Sequence, residues 1–324
     1  MRRGVRSTFC VILAACSSPG PAVKPPDNAT TPKVSLSYGW QPGLEAQVDV
    51  KWSCSMRTER GETHVLLDSS YLLTTAAEGD NLLVQSSNIR STPESGNSTR
   101  GAQPRDFVAG LSILEPDLRV TADGKSAQIN DVRAVRARTE ALTTQIFGEV
   151  LPLGWRTSLE TTFLSDRALN AFASDFWGGL VGSWLDAKLE IGRTYTGQHL
   201  VDNLLFPDKH LSMDYEYTAM RIVPCRRGPR EVRCIELRKR ATSGPADTDR
   251  AVSEFERDKQ AGNLRSGQTF SGMTTEYGTV LVTEPESLIP HAYTYTTVVQ
   301  GVIKVDGESQ PIRREDRVEY SFRY

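Results

Sequence analysis

The residues best suited to chemistry are two cysteines, Cys225 and Cys234, which flank the segment RRGPREVR. Two thiols at this separation can form a disulfide across a hairpin or supply two ligands to a metal ion. With a turn centred on Pro229–Arg230, the two cysteines lie opposite each other on paired strands. A zinc site needs further ligands, and no CxxC motif or nearby histidine pair accompanies them. The sequence therefore predicts a disulfide in an oxidising compartment, no metal, and a buried thiol at Cys54.

Motifs of known enzymes are missing from the sequence. It contains no Gly-x-Ser-x-Gly, Ser-x-x-Lys or His-Glu-x-x-His motif and no phosphate-binding glycine loop. The pair Asp247 and Asp249 lacks the rest of a calcium-binding loop. The histidines lie in unrelated segments: His64, His199, His210 and His291. We therefore predict no catalytic residues, no cofactor and no enzymatic activity, with a hydrolase of unrecognised site as the alternative.

A further cysteine, Cys16, follows a stretch with the layout of an export signal. Three arginines within residues 1–8 precede a short apolar run, which closes as Leu13-Ala14-Ala15-Cys16. This stretch resembles the lipobox of bacterial lipoproteins. The resemblance implies cleavage before Cys16, acylation of its sulfur and new amino group, and, with Ser17 next, transfer to the outer membrane. The alternative is that Cys16 lies in an ordinary signal peptide or in a disordered N-terminal segment.

The sequence after Cys16 divides into a tether and a folded domain. Residues 17–33 contain five prolines and no aromatic residue, a composition that favours extended conformations. We therefore assign residues 1–15 to a lipoprotein signal peptide and residues 16–33 to the lipidated cysteine and its tether. Residues 34–324 are assigned to one β-rich domain, with a helical insertion at about 131–187.

Alternating apolar and polar residues predict strands on both sides of that insertion. From Val34 to about Arg90 the segments KVSLSYGW, EAQVDVKWSCSM, THVLLDSSYLLTT and LLVQSSNI are separated by polar turns, which is typical of an antiparallel meander. Hairpin turns are predicted at Asp123-Gly124 and Asp306-Gly307. Residues 91–106 are predicted to be an exposed loop, and a short helix is predicted from Thr248 to Gln260.

Between the two strand regions the apolar residues fall three and four positions apart, as in a helix. Ser165–Asp166 is a start signal for this helix, and Gly178–Gly179 is expected to end or bend it. The helix carries a set of large apolar side chains, which we call the aromatic set: Phe172, Phe176, Trp177, Leu180 and Trp184. These side chains are candidates for lining an apolar pocket, and ordinary core packing is the alternative.

Strands, helices and then strands in that order indicate an α+β fold, mainly antiparallel β. We expect a curved sheet or incomplete barrel packed on central helices. This architecture is similar to that of LolA-like periplasmic lipid carriers, which enclose lipid between sheet and helices. The final segment RVEYSFRY places Val318, Tyr320, Phe322 and Tyr324 on one strand face. The same segment resembles the terminal strand of outer-membrane barrels, although the lipobox and the helices favour a buried strand face.

The predicted function is binding by a membrane-anchored envelope lipoprotein. The formal net charge of −2 becomes more negative once the arginines of the signal are removed, which leaves no basic surface for nucleic acid. The predicted partners are the membrane, through the lipid anchor, and a lipid or another envelope protein as ligand. The predicted location is the outer membrane, on its periplasmic face or at the cell surface. A purely structural lipoprotein is the remaining alternative.

Overall fold

The computed structural model describes residues 32–58, 61–93, 117–147, 165–203, 206–244, 269–305 and 307–324. Among these residues the helical elements are α1 (Val132–Phe147), α2 (Asp166–Trp177) and a π-helical turn (Gly178–Gly182) that follows α2 directly. The strands are β1 (Lys33–Ser35), β2 (Glu45–Thr58), β3 (Gly61–Glu78), β4 (Asn81–Pro93), β5 (Leu118–Val120), β6 (Ala127–Ile129), β7 (Lys188–Glu190), β8 (Thr194–Asn203), β9 (Phe206–Arg227), β10 (Arg230–Ser243), β11 (Thr269–Thr283), β12 (Pro290–Val305) and β13 (Glu308–Arg323).

One antiparallel sheet of eleven strands dominates the described residues, in the order β6-β5-β4-β3-β2-β13-β12-β11-β10-β9-β8. Two meanders make up this sheet, and they join where β2 pairs with β13, with Val50 opposite Tyr320. The sheet is open, because β6 and β8 are its two edges. The prediction of a mainly antiparallel β protein is therefore confirmed.

The strands form because apolar side chains alternate with polar ones along them, so that one face of the sheet can be buried. In β10, Leu237, Lys239 and Ala241 are buried, whereas Arg238 and Arg240 between them are exposed. We call the face with the buried side chains the inner face. Pairing carries this alternation from strand to strand and produces an extended core and a smaller cluster of Met213, Tyr215, Ala241 and Tyr277.

The helical elements lie between β6 and β8 in the chain and so connect the two edges of the sheet. Helix α2 starts where it was predicted to start, with the Leu169 amide donating to the Ser165 carbonyl over 3.0 Å. The side chain of Asn170 accepts a 3.1 Å hydrogen bond from the Ile129 amide, which holds α2 against β6. The regular helix ends at Trp177, as Gly178–Gly179 predicted.

The predicted hairpins at 123–124 and 306–307 are both present, since β5 pairs with β6 and β12 with β13. The first segment, KVSLSYGW, does not belong to the meander, and that part of the prediction is wrong. Only Lys33–Ser35 is a strand, and it pairs with β7 in a separate two-stranded sheet. The following backbone is held by the loop after β11, where the Gly39 amide donates to the Ser287 carbonyl over 3.0 Å. The predicted loop at 91–106 is wrong at its start, because residues 91–93 belong to β4. The rest of that loop and the predicted helix at 248–260 lie outside the described residues.

Candidate functional site

Trp177, at the end of α2, is one of the fully buried residues of the aromatic set. Its side chain is 2% exposed, and its indole nitrogen donates a 2.7 Å hydrogen bond to the Gly124 carbonyl. The rings of Trp40 and Tyr38 meet it edge-on, with centroids 5.1 and 6.1 Å away. Because Gly124 is in the turn between β5 and β6, this indole fastens α2 to one edge of the sheet.

Trp184 and Leu180 continue the buried surface past the π-helical turn, and each is 1% exposed. The Trp184 indole nitrogen donates a 2.9 Å hydrogen bond to the Gly179 carbonyl, and the ring meets Tyr217 of β9 edge-on at 5.8 Å. These contacts place the segment after α2 against strands of the second meander. The indole nitrogens of both tryptophans in the set are therefore satisfied within the core.

Phe176 is half-buried and contacts the inner face at the strands next to the junction of the two meanders. Its ring lies 6.2 Å from that of Tyr293 and 5.5 Å from that of Tyr320. Phe172 lies in α2, but its side chain is outside the described part of the molecule. The structure therefore brings four members of the aromatic set to the inner face. Whether they line a pocket stays a prediction.

The disulfide between Cys225 and Cys234 is present and closes the β9–β10 hairpin, with the two Cα atoms 5.8 Å apart. The turn differs from the prediction by one residue. It centres on Gly228–Pro229, because Arg227 pairs with Arg230. Cys225 therefore pairs with Val232 and meets Cys234 diagonally rather than directly. Gly228 takes a positive φ of 59°, which explains why the turn forms there. Cys54 is a buried thiol in β2, as predicted.

Reduction of the disulfide is expected to lower the melting temperature. The short closed loop predicts a loss of about 2–3 kcal/mol in the free energy of unfolding when the bridge is broken. Thermal melts with and without reductant measure the change. The double variant Cys225→Ser and Cys234→Ser is the control, since reductant should not alter its melting temperature. An unchanged wild-type melt after complete reduction, verified by thiol titration, would show that the bridge adds no stability.

His291 lies close to this disulfide, and the ligand atoms of Cys225, Cys234 and His291 are all within 4.8 Å of one another. Three such groups could hold a metal ion if both sulfurs were thiolates. In the disulfide the two sulfurs are bonded to each other, so neither has the negative charge that a zinc ligand carries.

A buried carboxylate, Glu284, accepts hydrogen bonds from two neighbours in the same region. His291 Nε2 lies 3.2 Å from one of its oxygens, and the Ser287 hydroxyl donates to the other over 3.0 Å. Burial alone would raise the pKa of Glu284, but these hydrogen bonds and the charge of Arg227, 3.5 Å away, hold it below its usual range. Serine and histidine thus contact different oxygens of the carboxylate. A serine nucleophile instead needs its hydroxyl next to the imidazole.

Lys239 belongs to no motif of the sequence, yet its ammonium group is an unusual polar feature of the inner face. The residue is 9% exposed and sits in β10 between Tyr217 of β9 and Thr279 of β11. The inward-facing residues on either side of it along β10 are Leu237 and Ala241, so the alternation of β10 contained the only signal. A charged residue at an inward-facing position breaks the apolar pattern of that face.

Together these features define a protein with an open antiparallel sheet and a helical segment packed on its inner face. No protein-family model matches the chain, and no curated protein matches it. Among solved structures, the chain is similar to lipovitellin. That structure was used to study lipid–protein interactions in lipovitellin. The TM-score is 0.38 at 10% sequence identity, and the match covers 88% of this chain but only 25% of the lipovitellin chain. A similarity at this level carries no argument about function.

Within the described ranges, neither helix combines the length and the apolar character needed to cross a bilayer.

Proposed function

We propose that this chain is an outer-membrane lipoprotein, anchored through Cys16, whose β-rich domain binds a ligand with an acyl chain and does not catalyse a reaction. The anchor rests on the resemblance of Leu13-Ala14-Ala15-Cys16 to a lipobox. Two or three acyl chains, such as palmitate, hold a protein stably on a membrane, because each buried methylene contributes about 0.8 kcal/mol. The binding domain rests on the inner face of the sheet.

The observation that carries the binding proposal is a row of inward-facing side chains that runs across the strands. Pairing aligns Tyr217, Lys239, Thr279, Tyr295 and Val318 from β9 to β13. The row continues through Trp52 of β2 to Leu67 of β3. Apart from two polar members it is apolar or aromatic, so an acyl chain laid along it would contact carbon atoms over most of its length.

We further propose that the sheet curves around the helical segment, as in an incomplete barrel. Trp177 is bonded to the β5–β6 turn, and Trp184 contacts Tyr217 of β9. Eight strand spacings separate β5 from β9, or about 38 Å in a flat sheet. The helical stretch between the two tryptophans rises only about 10 Å, and two indole side chains do not cover the remaining distance. Curvature brings both strands within reach and would give the ligand a concave surface.

Replacement of Cys16 tests the anchor. Cys16→Ala removes the thiol to which the lipid would be attached, so we expect the protein to leave the membrane fraction and to lose metabolic labelling by palmitate. Cys10→Ala is the matched control, because it changes a cysteine of the same segment that the lipobox does not use. Sedimentation after a salt wash measures the change. If Cys16→Ala still sediments and is still labelled, the anchor proposal is wrong.

Native mass spectrometry tests the binding domain. Residues 16–324 carrying Cys16→Ala would be exported behind a cleavable signal and purified without detergent. We expect a mass excess that resolves into phospholipid or fatty-acid species after extraction. Phe176→Ala should reduce the bound fraction if the half-buried member of the aromatic set contacts the chain. A bare protein mass that persists after incubation with lipid vesicles would contradict lipid binding.

A further inference from the structure

Lys239 is a cation in a buried position, and its surroundings compensate its charge only in part. Its Nζ lies 3.2 Å from the Ser183 hydroxyl, and 5.1 and 5.6 Å from the ring centroids of Tyr215 and Tyr217. Among the described residues, no carboxylate lies within ion-pair distance of it. An ammonium group has three donors, and the single hydroxyl accepts one. Aromatic faces attract a cation, but far less strongly than a carboxylate or phosphate at hydrogen-bond distance does.

Thr279 adds a second polar group beside this ammonium. It pairs directly with Lys239 across the β10–β11 ladder and is 8% exposed. Its hydroxyl has no hydrogen-bond partner within the described part of the chain. Buried polar groups in native proteins are nearly always hydrogen-bonded, so an orphaned hydroxyl next to an ammonium whose charge is only partly compensated points to a further acceptor. An acceptor that also carries negative charge would satisfy both groups.

We propose that Lys239 and Thr279 bind the anionic head group, a carboxylate or a phosphate, of the ligand with an acyl chain. This inference rests on the proposed function and adds the chemical class of the ligand. The Lys239 ammonium donates to one anionic oxygen, and the Thr279 hydroxyl donates to the same or a second oxygen. Ser183, from the segment after the π-helical turn, orients the ammonium from above the sheet. The acyl chain then extends along the row toward Tyr295 and Val318.

The position of the two residues within the row supports this assignment. On one side lie Tyr195 and Tyr217 near the β8 edge, and on the other lie Tyr295, Val318 and Trp52. A head group held at Lys239 would therefore leave most of the apolar row to the chain. The opposite order would put a hydrocarbon chain against an ammonium group and a hydroxyl.

Binding measurements with three ligands of equal chain length test the proposal. Palmitate, 1-palmitoyl lysophosphatidate and hexadecanol would be titrated against the mature chain with Cys16→Ala, followed by tryptophan fluorescence and native mass spectrometry. We expect both anions, or one of them, to bind at least about tenfold more tightly than hexadecanol, as is typical of hydrogen bonds to charged groups. The tighter of the two anions identifies carboxylate or phosphate as the head group.

Lys239→Met is expected to lower the affinity for the anions about tenfold to a hundredfold, to that of hexadecanol, and to leave hexadecanol binding unchanged. Lys239→Arg should retain the preference for anions, and Thr279→Val should weaken it several-fold. Lys51→Met is the matched control, because Lys51 is exposed on β2. A melting curve confirms that each variant is folded, and a buried methionine should not destabilise the protein.

Two failures are distinguishable. If none of the three ligands binds the chain that retains Lys239, the proposed function fails, and the inference about Lys239 fails with it. If all three bind equally and Lys239→Met changes nothing, lipid binding stands and the role of Lys239 is overturned. Should Lys239→Met not fold, the preference of the unmodified domain for anions over hexadecanol, together with Thr279→Val, decides the question.

Discussion

Gly179→Ala should destabilise the protein by about 1–3 kcal/mol, the usual effect of overpacking a buried site. A Cβ atom at Gly179 would overlap the Tyr293 hydroxyl oxygen and lie 2.8 Å from its Cζ. Tyr293 is 3% exposed and its ring is packed beside those of Phe176 and Tyr320, so it cannot move aside without disturbing them. The π-helical turn therefore requires a glycine where it lies closest to β12.

Gly178→Ala is the matched control, one residue earlier in the same turn. Apart from its chain neighbours and the backbone of its own helix, no atom lies within 4 Å of a Cβ atom at Gly178, and alanine is favoured over glycine in helical backbone by up to about 1 kcal/mol. We expect this variant to be as stable as the wild type or slightly more stable. Urea unfolding of both variants measures the difference, and equal midpoints would contradict the close packing of Gly179 on Tyr293. Tyr293→Phe removes the nearest atom and should make Gly179→Ala less costly.

Trp177→Ala should destabilise the protein strongly, with a loss of about 3–5 kcal/mol, as for other buried tryptophans. The indole fills the space between Trp40 and Tyr38 and supplies the hydrogen bond to Gly124. Its removal leaves a cavity and also loosens the attachment of α2 to the edge of the sheet.

Trp177→Phe separates these two effects. Phenylalanine keeps part of the ring packing but cannot donate to the Gly124 carbonyl, so we expect a loss of about 1–3 kcal/mol. Leu66→Ala is the control for a large apolar residue at the surface, since Leu66 is 42% exposed, and it should change stability by no more than about 0.5 kcal/mol. A Trp177→Ala variant that unfolds at the wild-type midpoint would show that this indole is not part of the core.

The strands and the main helix could be predicted because their apolar residues recur with the spacing of a strand or of a helix. Val48, Val50 and Trp52 alternate with polar residues in β2, and Leu169, Ala173 and Trp177 recur along α2. The Cys225–Cys234 disulfide could be predicted for a related reason, since a short polar segment between two apolar runs indicates a hairpin.

Other features depend on contacts between distant parts of the chain, which a local pattern does not contain. The segment after β1 is strand-like by alternation, yet the backbone bonds of Ser37 and Gly39 go to the loop after β11. The turn at Gly228–Pro229 follows from the positive φ of one glycine rather than from composition. The significance of Lys239 arises only when β10 is placed between β9 and β11 and beneath Ser183.

The pairing of β2 with β13 has a consequence for the order of folding. Each meander can form from neighbouring hairpins, but the junction between them joins residues as distant in the chain as Val50 and Tyr320. Contacts of such high sequence separation form slowly, because a long loop must close before any of their stabilisation is gained. Until β13 has been synthesised, β2 and β12 both present unpaired backbone edges. An incomplete chain would therefore depend on chaperones that shield strand edges, and deletion of β13 should cause aggregation rather than a merely smaller domain.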